Sequence, residues 1–376
     1  MVSDLVRFIG GGRWATTVLT ELTQTFPNLR IDWVCNSVTK EKQKIVKNLI
    51  AFKNVSLVDK AHIFELSQPD KVIIASHSSQ HCSDLLTLQN SAITLVEKPL
   101  YPHIYDFEAL SSERKNSTFI NLEFYNAFFI SDFAKEISSF DVKSIKFIWH
   151  DPLEELRQSG ERKNSEIYSS IFMDQLMHVM SISKRMGFDS SASKETKLDI
   201  KKQPNGIVRI FSTFHDVKIE ISLSRFAEKR ERKINVNNRE ILLDFSSKPI
   251  IKKSKCQQNE IHALKRPFPI SQTLVKFINY PDQSDISSLS LESLMPEIKF
   301  CFDCENLFIE SFSDESCLYS PVKQEVEPNL VYYAGIQYYQ ALLILDVPLN
   351  IHYLKGFEGV KELLNWWYDY CNRPVN

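Results

Sequence analysis

Short apolar and β-branched runs alternate with longer segments of helical period through the first 125 residues of the chain. The runs have the length of buried strands and lie at residues 5–9, 29–35, 55–58, 71–75, 93–96 and 118–124. Between them, residues 14–26 and 40–52 repeat apolar side chains at the spacing of amphipathic helices. Strands that alternate with helices predict an α/β fold, with a doubly wound parallel sheet of Rossmann type in domain 1–125.

After residue 140 the pattern changes. A strand at 142–150 and a helix at 167–186 precede strand-like runs with no helix between them, at residues 207–214, 217–226, 232–236 and 240–245. Successive strands predict a large, mostly antiparallel sheet, so residues 126–376 are expected to form a C-terminal α+β domain. The pattern does not place the elements of residues 249–328. Two helices are predicted at 329–345 and 357–371, with the option of packing back on the first domain.

Composition narrows the classes of partner. The 376 residues carry a formal net charge of -2 and no long run of Lys and Arg, which argues against a nucleic-acid partner. No segment has the pattern of a signal peptide or the ~20 apolar residues of a membrane span, so we expect a cytoplasmic protein without a membrane partner. Seven cysteines include the pair Cys301 and Cys304, but no second CxxC or nearby His pair completes a zinc site. We therefore predict no metal and expect buried free thiols.

A glycine cluster lies between the first predicted strand and the first predicted helix. Residues 10–15, Gly-Gly-Gly-Arg-Trp-Ala, fit the pattern G-x-G-x-x-G/A with Ala15 at the third small position. In this pattern Gly10 makes the tight turn, Gly12 lets the backbone approach a pyrophosphate, and Ala15 lets the helix pack against the strand. The position at the start of a βαβ unit favours dinucleotide binding over a purely structural turn.

The end of the second predicted strand indicates which dinucleotide is bound. An NAD enzyme usually has an Asp or Glu there, about 20 residues after the glycines, to bind the ribose 2'-hydroxyl. Here the strand ends in Asn36 and Ser37, and Asp32 lies too early, in mid-strand. Because no carboxylate repels a 2'-phosphate, and Ser37, Thr39 and Lys40 could donate to one, we expect NADP; a neutral Asn36 leaves NAD open.

Three further motifs occur in a fixed order. Glu97-Lys98-Pro99 follows the fifth predicted strand, and Asp174 and His178 are spaced to lie on one face of a helix. The segment 72–81 ends a strand and carries His81 at its last position. With the glycine loop, these motifs resemble the glucose-fructose oxidoreductase and inositol dehydrogenase family (Gfo/Idh/MocA). In that family a Glu-Lys-Pro motif follows strand five, and a D-x-G-x-H motif lies in the second domain.

The resemblance implies an NAD(P)-dependent oxidoreductase that transfers hydride between nicotinamide and a C–O centre of a sugar, cyclitol or similar small compound. It implies Lys98, Asp174 and His178 as catalytic residues, with Lys98 and His178 in proton transfer. Tyr125 and His150 are expected to line the substrate pocket. The residues expected to contact the cofactor are Gly10, Gly12, Arg13, Trp14, Ala15, Asn36, Ser37, Lys40, Ser76, His77, His81, Glu97 and Lys98. It also implies a homodimer or homotetramer.

The sequence departs from the family pattern at two motifs. Leu176 stands where D-x-G-x-H has glycine, and His77-Ser78 replaces the Pro-Asn that usually follows strand four. These changes leave the substrate open and keep two alternatives in view. One is an imine reductase of a biosynthetic pathway, although such relatives lack the lysine present here at Lys98. The other is a non-catalytic NAD(P)-binding regulator, which has no need of the proton-transfer residues.

Overall fold

The computed structural model describes residues 5–49, 52–77, 80–88, 92–98, 110–152, 171–201, 207–247, 249–254, 257–261, 268–281 and 286–310. These residues form two compact units. The described parts of 5–131 and 268–296 make the first unit, and those of 132–261 and 297–310 make the second. The first unit therefore contains a later segment, 268–296, which the predicted division between residues 125 and 126 assigns to the second domain.

The described strands of the first unit form a parallel sheet in the order β3-β2-β1-β4-β5-β6, which is the doubly wound Rossmann order. Buried side chains fill both faces of the central strands, as parallel sheets require. The bounds are β1 (Leu5–Ile9), β2 (Arg30–Cys35), β3 (Val55–Asp59), β4 (Lys71–Ile74), β5 (Ile93–Glu97) and β6 (Thr118–Asn121). The predicted α/β class and the predicted sheet are thus confirmed.

Four of the described helices lie between strands of this sheet, and a fifth follows β6. Their bounds are α1 (Arg13–Thr25), α2 (Lys40–Asn48), α3 (His81–Thr87), α4 (Ser112–Ser117) and α5 (Phe128–Ile137). The predicted helix at 40–52 ends earlier, because Leu49 has extended backbone angles and residues 52–54 form a 3-10 turn. The predicted strand at 118–124 stops at Asn121, and residues 123–126 form another 3-10 turn.

A later helix completes the first unit. This helix, α7 (Pro269–Ile278), packs against α1 and the 3-10 turn after β6. The hydroxyl of Ser271 donates to Glu21 at 2.7 Å, and Asn126 Nδ2 donates to Thr273 Oγ1 at 3.1 Å. Phe277 is fully buried against Phe119 of β6. These contacts explain why a segment distant in sequence folds with the Rossmann sheet.

The described strands of the second unit form a sheet in the order β14-β13-β12-β11-β7-β10-β9-β8. Among the described strand pairs of this sheet, only β7 and β10 are parallel, so the sheet is mostly antiparallel as predicted. The bounds are β7 (Ser144–Pro152), β8 (Ser193–Lys201), β9 (Ile207–Phe214), β10 (Val217–Ala227), β11 (Glu231–Val236), β12 (Ile241–Asp244), β13 (Ile250–Ser254) and β14 (Gln257–Ile261).

Helices α6 (Met177–Arg185) and α8 (Leu291–Glu310) also belong to the described chain. In the second unit, Phe300 of α8 contacts Phe214 of β9 edge to face at 5.3 Å. Glu297 of α8 is fully buried and pairs with Lys184 of α6 at 3.1 Å. One face of the sheet is therefore covered by these helices, and the core of this unit lies between them.

The described residues include two of the cysteines discussed above and the helices that could be compared with a membrane span. Cys301 and Cys304 are buried free thiols, and the described residues contain no cluster that could hold a metal ion. Burial raises the pKa of the Cys304 thiol well above its ordinary value. None of the described helices is long and apolar enough to cross a membrane. The helices predicted at 329–345 and 357–371, and Cys317, lie outside the described residues.

Candidate functional site

The glycine loop lies where strand order reverses in the parallel sheet. Gly10 follows β1 and has a φ of 140°, and a Cβ on it would lie 2.3 Å from the backbone oxygen of Ala75, which follows β4. Trp33 of β2 donates its indole N–H to the Gly10 oxygen at 2.6 Å. Both the backbone angle and the close approach to Ala75 therefore require glycine at this position. Ligands of open α/β sheets bind at such a switch point.

The same loop leaves room for an anionic group. Gly12 is the N-cap residue of α1, and a Cβ built on it meets no atom within 4 Å among the described residues. No side chain caps α1, and its first turn carries no acidic residue. The buried Oγ of Ser76 has no hydrogen-bond partner among the described residues. An uncapped helix N-terminus with open space beside it fits the pyrophosphate of a dinucleotide.

A lysine of α2 that the sequence analysis missed has its ammonium group beside the tip of β2. Asn36, Ser37 and Lys40 are all exposed there, as expected for residues that reach a ligand. Lys42 Nζ donates to the Ser37 backbone oxygen at 2.9 Å and lies 2.8 Å from where a Cβ on Gly11 would be. The ammonium group is thus held beside the glycine loop, whereas the helix start at Lys40 is exposed. The signal in the sequence was a basic residue in the first turn of the helix after β2.

Asp32 lies in the middle of β2, as the sequence pattern indicates. Its carboxylate is 3.9 Å from Arg7 Nη2, a neighbour on β1. Burial raises the pKa of Asp32, and the nearby Arg7 opposes this rise. Asp32 is therefore engaged within the sheet and does not lie at the strand tip where an NAD enzyme has its ribose-binding carboxylate.

The carboxyl end of β5 holds a buried acid. Glu97 is 5% exposed and accepts hydrogen bonds from the indole N–H of Trp14 and from Nδ2 of Asn121. Burial raises the pKa of Glu97 to about 7; the two hydrogen bonds oppose this rise, and Glu123 adds to it. Since Trp14 belongs to the first turn of α1, Glu97 connects the glycine loop to β5. Lys98 follows directly and is half-buried; Pro99 lies outside the described residues.

The end of β4 positions three predicted residues. His81 opens α3, is 2% exposed, and has its Nε2 3.0 Å from the Ser76 backbone oxygen. His77 is exposed, and its backbone oxygen accepts from the Gln80 N–H at 2.8 Å. The structure thus places Ser76, His77 and His81 on the same loop edge as Gly10 and Ala75.

Tyr125, which is predicted to line the substrate pocket, is buried on the 3-10 turn after β6.

In the second unit, Asp174 lies within a π turn and His178 lies in the helix that follows it. Residues 172–176 form this turn, and the Met177 N–H donates to the Phe172 oxygen, one residue further back than in an α-helix. Such turns within helices occur frequently at functional sites. His178 is 5% exposed, and its ring stacks on Trp149 with centroids 5.0 Å apart and planes 10° apart. Asp174 is half-buried.

His150 does not share a sheet face with its neighbour Trp149, whose ring stacks on His178, and its place in a substrate pocket stays a prediction. Successive residues of β7 point to opposite faces, and Trp149 contacts the helix that carries His178. His150 Nε2 lies 2.9 Å from the Ser222 hydroxyl, and its Nδ1 lies 3.7 Å from Glu231. Burial lowers the pKa of His150, and Glu231 opposes this.

No family model and no curated protein matches the sequence, whereas solved structures resemble the fold. A myo-inositol dehydrogenase from Corynebacterium glutamicum is 14% identical, with a TM-score of 0.62 over 81% of this chain and 96% of that chain. A biliverdin reductase from Synechocystis, solved with biliverdin and NADP+, is 12% identical, with a TM-score of 0.59 over 81% and 99%. A Gfo/Idh/MocA family oxidoreductase from Vibrio cholerae is 12% identical, with a TM-score of 0.60 over 81% and 99%.

The predicted resemblance is confirmed for the fold, since these similarities extend across four fifths of the chain. Identity at this level leaves substrate and residue roles to be argued from the site itself. The chain has the fold of the Gfo/Idh/MocA oxidoreductases.

Proposed function

We propose that this protein is an NAD(P)-dependent oxidoreductase that transfers hydride between a nicotinamide and a C–O centre of a sugar, cyclitol or similar small compound. The observation that carries the proposal is the cradle at the switch point of the parallel sheet. There Gly10 is required by its contact with Ala75, Gly12 faces open space, and the N-terminus of α1 is uncapped. Ligand-binding crevices of doubly wound sheets form at this position.

The proposed catalytic roles are those that the resemblance implies, and the chemistry of the side chains suits them. A bound nicotinamide cofactor supplies the group that accepts or donates hydride. Lys98 is proposed to donate an N–H to the reacting oxygen and to stabilise negative charge that develops there. His178 is proposed to take or give the proton at that oxygen, since imidazole titrates near neutral pH. Asp174, four residues earlier, is proposed to orient the substrate or the imidazole.

NADP is the proposed cofactor. The exposed tip of β2, with Asn36 and Ser37, offers no carboxylate to a ribose 2'-hydroxyl. Lys42 holds its ammonium group at this tip, 2.9 Å from the Ser37 oxygen. A 2'-phosphate there would gain a charge-assisted hydrogen bond, whereas NAD would gain none of this energy.

The proposal also covers the cellular location and the oligomeric state of the enzyme. Buried free cysteines among the described residues suit a reducing compartment, and we propose the cytoplasm. A homodimer or homotetramer is proposed from the resemblance alone.

The test begins with titration of NADPH and of NADH into the purified protein, with tryptophan fluorescence as the measure of binding. A panel of myo-inositol, hexoses, simple ketones and biliverdin is then screened with oxidised or reduced cofactor by the absorbance of the reduced nicotinamide. With a substrate so found, Lys98→Met and His178→Asn should each lower turnover by about 10²- to 10⁴-fold.

Two matched variants control for the loss of a lysine or a histidine. Lys47→Met changes an exposed residue in the last turn of α2. His215→Asn changes a residue with a φ of 47°, a conformation that asparagine tolerates. Both controls should keep wild-type turnover. Cofactor binding without turnover of any panel compound, together with unchanged cellular function of Lys98→Met, would instead identify a cofactor-binding regulator.

A further inference from the structure

The π turn before α6 is tied to the sheet by one buried side chain. Gln175 lies inside the turn, is 2% exposed, and donates from Nε2 to Asp151 Oδ2 at 3.2 Å and to the Ser224 oxygen at 3.0 Å. Asp151 and Ser224 belong to the neighbouring strands β7 and β10. A wide turn of helix is thus fixed to two strand ends by hydrogen bonds in the interior, where such bonds are hard to replace with water.

Asp151 is in turn held by arginine side chains of the adjacent chain segment. Arg232 Nη2 donates to Asp151 Oδ1 at 2.9 Å, and Arg230 Nε lies 3.3 Å from the same oxygen. The Arg232 guanidinium also lies over the Trp149 ring, 4.5 Å from its centroid. A cation at this distance from an indole face is attracted to it. Arg232 therefore contacts both the carboxylate that holds the π turn and the ring that stacks on His178.

Trp149 completes this connected group. It is 2% exposed, and its ring is nearly parallel to the imidazole of His178. One face of the imidazole is therefore covered, and rotation of the ring out of this plane would break the stack. The backbone before His178 and the ring of His178 are both held by residues that contact Arg232.

We propose that Trp149 and Arg232 are positioning residues that set the plane of the His178 imidazole for proton transfer. Trp149 acts on the ring by stacking, and Arg232 acts through Trp149 and through the Asp151–Gln175 hydrogen bonds. This inference rests on the proposed function, in which His178 transfers the proton. Positioning of a catalytic group within a fraction of an ångström by locked neighbours is a general requirement of proton transfer at a fixed site.

The first experiment observes the ring directly and needs no substrate. In protein with isotope-labelled histidine, the ring signals of His178, assigned with His178→Asn, should carry the upfield displacement that a stacked indole produces. Trp149→Leu should abolish that displacement, and Trp149→Phe should keep part of it. Arg232→Met should shift the His178 signals more than Arg232→Lys does. The signals of His150, on the other face of the sheet, serve as the internal control.

The second experiment compares the turnover of the wild type and the variants on the substrate found in the panel described above. Trp149→Leu and Arg232→Met should lower kcat about tenfold or more while the KM for NADPH stays within about twofold, and Trp149→Phe and Arg232→Lys should restore part of kcat. Thermal unfolding of each variant reports its folding; should Trp149→Leu fail to fold, the Trp149→Phe and Arg232→Lys variants carry the same comparison.

The failures of the two proposals differ. Unchanged His178 signals in folded Trp149→Leu, or wild-type kcat in all four variants while His178→Asn is inactive, would overturn the positioning role and leave the proposed function standing. Wild-type turnover by His178→Asn would overturn the proposed role of His178 in proton transfer. The positioning role of Trp149 and Arg232 would then be overturned as well.

Discussion

Lys42 Nζ donates a hydrogen bond to the backbone oxygen of Ser37 at 2.9 Å, which holds an ammonium group at the tip of β2. The same group contacts the thiol of Cys35, whose pKa is raised by burial in spite of the nearby positive charge. Lys40, the residue predicted from the sequence, is exposed at the first position of the same helix. The Lys42 ammonium group therefore has a hydrogen-bond partner at the tip of β2, whereas the Lys40 side chain is exposed to solvent.

This difference predicts which lysine selects the cofactor. Lys42→Gln should weaken NADPH binding about tenfold, because a charge-assisted hydrogen bond to the 2'-phosphate is lost, and should leave NADH binding nearly unchanged. Isothermal titration of both cofactors measures the two affinities. Lys40→Gln is the matched control and should change the NADPH affinity less. Equal losses for NADPH and NADH in Lys42→Gln would contradict a role at the 2'-phosphate.

Substitution of the two outer glycines of the loop should have different effects, one on stability and the other on cofactor binding. Gly10→Ala should destabilise the protein by about 3 kcal/mol or more, because the new Cβ would lie 2.3 Å from the Ala75 oxygen at an unfavourable φ. Gly12→Ala should leave the unfolding temperature near that of the wild type, since its Cβ enters open space. In Gly12→Ala the added methyl should instead weaken cofactor binding at least tenfold, because it occupies the approach to the pyrophosphate.

Thermal unfolding and NADPH titration of both glycine variants separate these effects. A Gly12→Ala protein that binds NADPH as tightly as the wild type would place the pyrophosphate elsewhere. A Gly10→Ala protein of wild-type stability would show that the strand end can move away from Ala75.

Glu97 should make stability depend on pH. Its pKa is raised by burial from 4.5 to about 7, so the folded protein holds a proton that the unfolded chain releases between these values. The free energy of unfolding should therefore fall as pH rises from about 4.5 to 7 and stay level above, by about 3 kcal/mol in total from this group. Glu97→Gln, which is neutral at every pH, should lack this fall.

Denaturant unfolding of wild type and Glu97→Gln at pH 5 and pH 8.5 checks the sign. The difference in unfolding free energy, variant minus wild type, should be more positive at pH 8.5. A difference that does not vary with pH would mean that Glu97 keeps an ordinary pKa in the folded protein.

The buried pair of Lys184 and Glu297 supports a prediction about the core of the second unit. Lys184→Met should destabilise the protein by about 3 to 5 kcal/mol at pH 8, because it leaves the buried Glu297 carboxylate without its cation. The pKa of Glu297 is already raised by burial, so the loss should shrink at pH 5, where the carboxyl takes up a proton more readily. Unfolding in denaturant at both pH values measures this.

Lys143→Met provides the control for the second unit, because Lys143 pairs with Asp141 on the surface with both side chains mostly exposed. Its removal should change stability little at either pH. If Lys184→Met were as mild as Lys143→Met, the buried pair would contribute nothing beyond packing.

The apolar pattern predicts the strands of the Rossmann sheet well. The strand at 5–9 is predicted at its observed bounds, and those at 30–35, 55–59 and 93–97 within one residue. These strands are continuous apolar runs because a parallel sheet buries both of its faces, so the signal is local. The glycine loop is predicted for the same reason: a tight turn between a strand and a helix requires small residues at fixed spacing.

Several elements of the described chain are not predicted by the pattern. The helix Pro269–Ile278 has an ordinary amphipathic pattern, and nothing in it indicates that its apolar face meets Phe119 of the first unit. Strands at 193–201, 250–254 and 257–261 carry Lys, Gln and Ser and give a weak alternating signal. Their pairing with neighbours in the sheet, rather than their composition, makes them strands.

By itself the sequence determined the two kinds of sheet, the position of the glycine loop and the residue types able to move a proton, because these depend on local spacing and side-chain chemistry. Only the tertiary structure decided that Lys42 holds its ammonium group at the tip of β2, and that Trp149 rather than His150 shares a face with His178. Alternation along a strand divides residues between two faces, but contacts with α6 and α8 decide which face is covered.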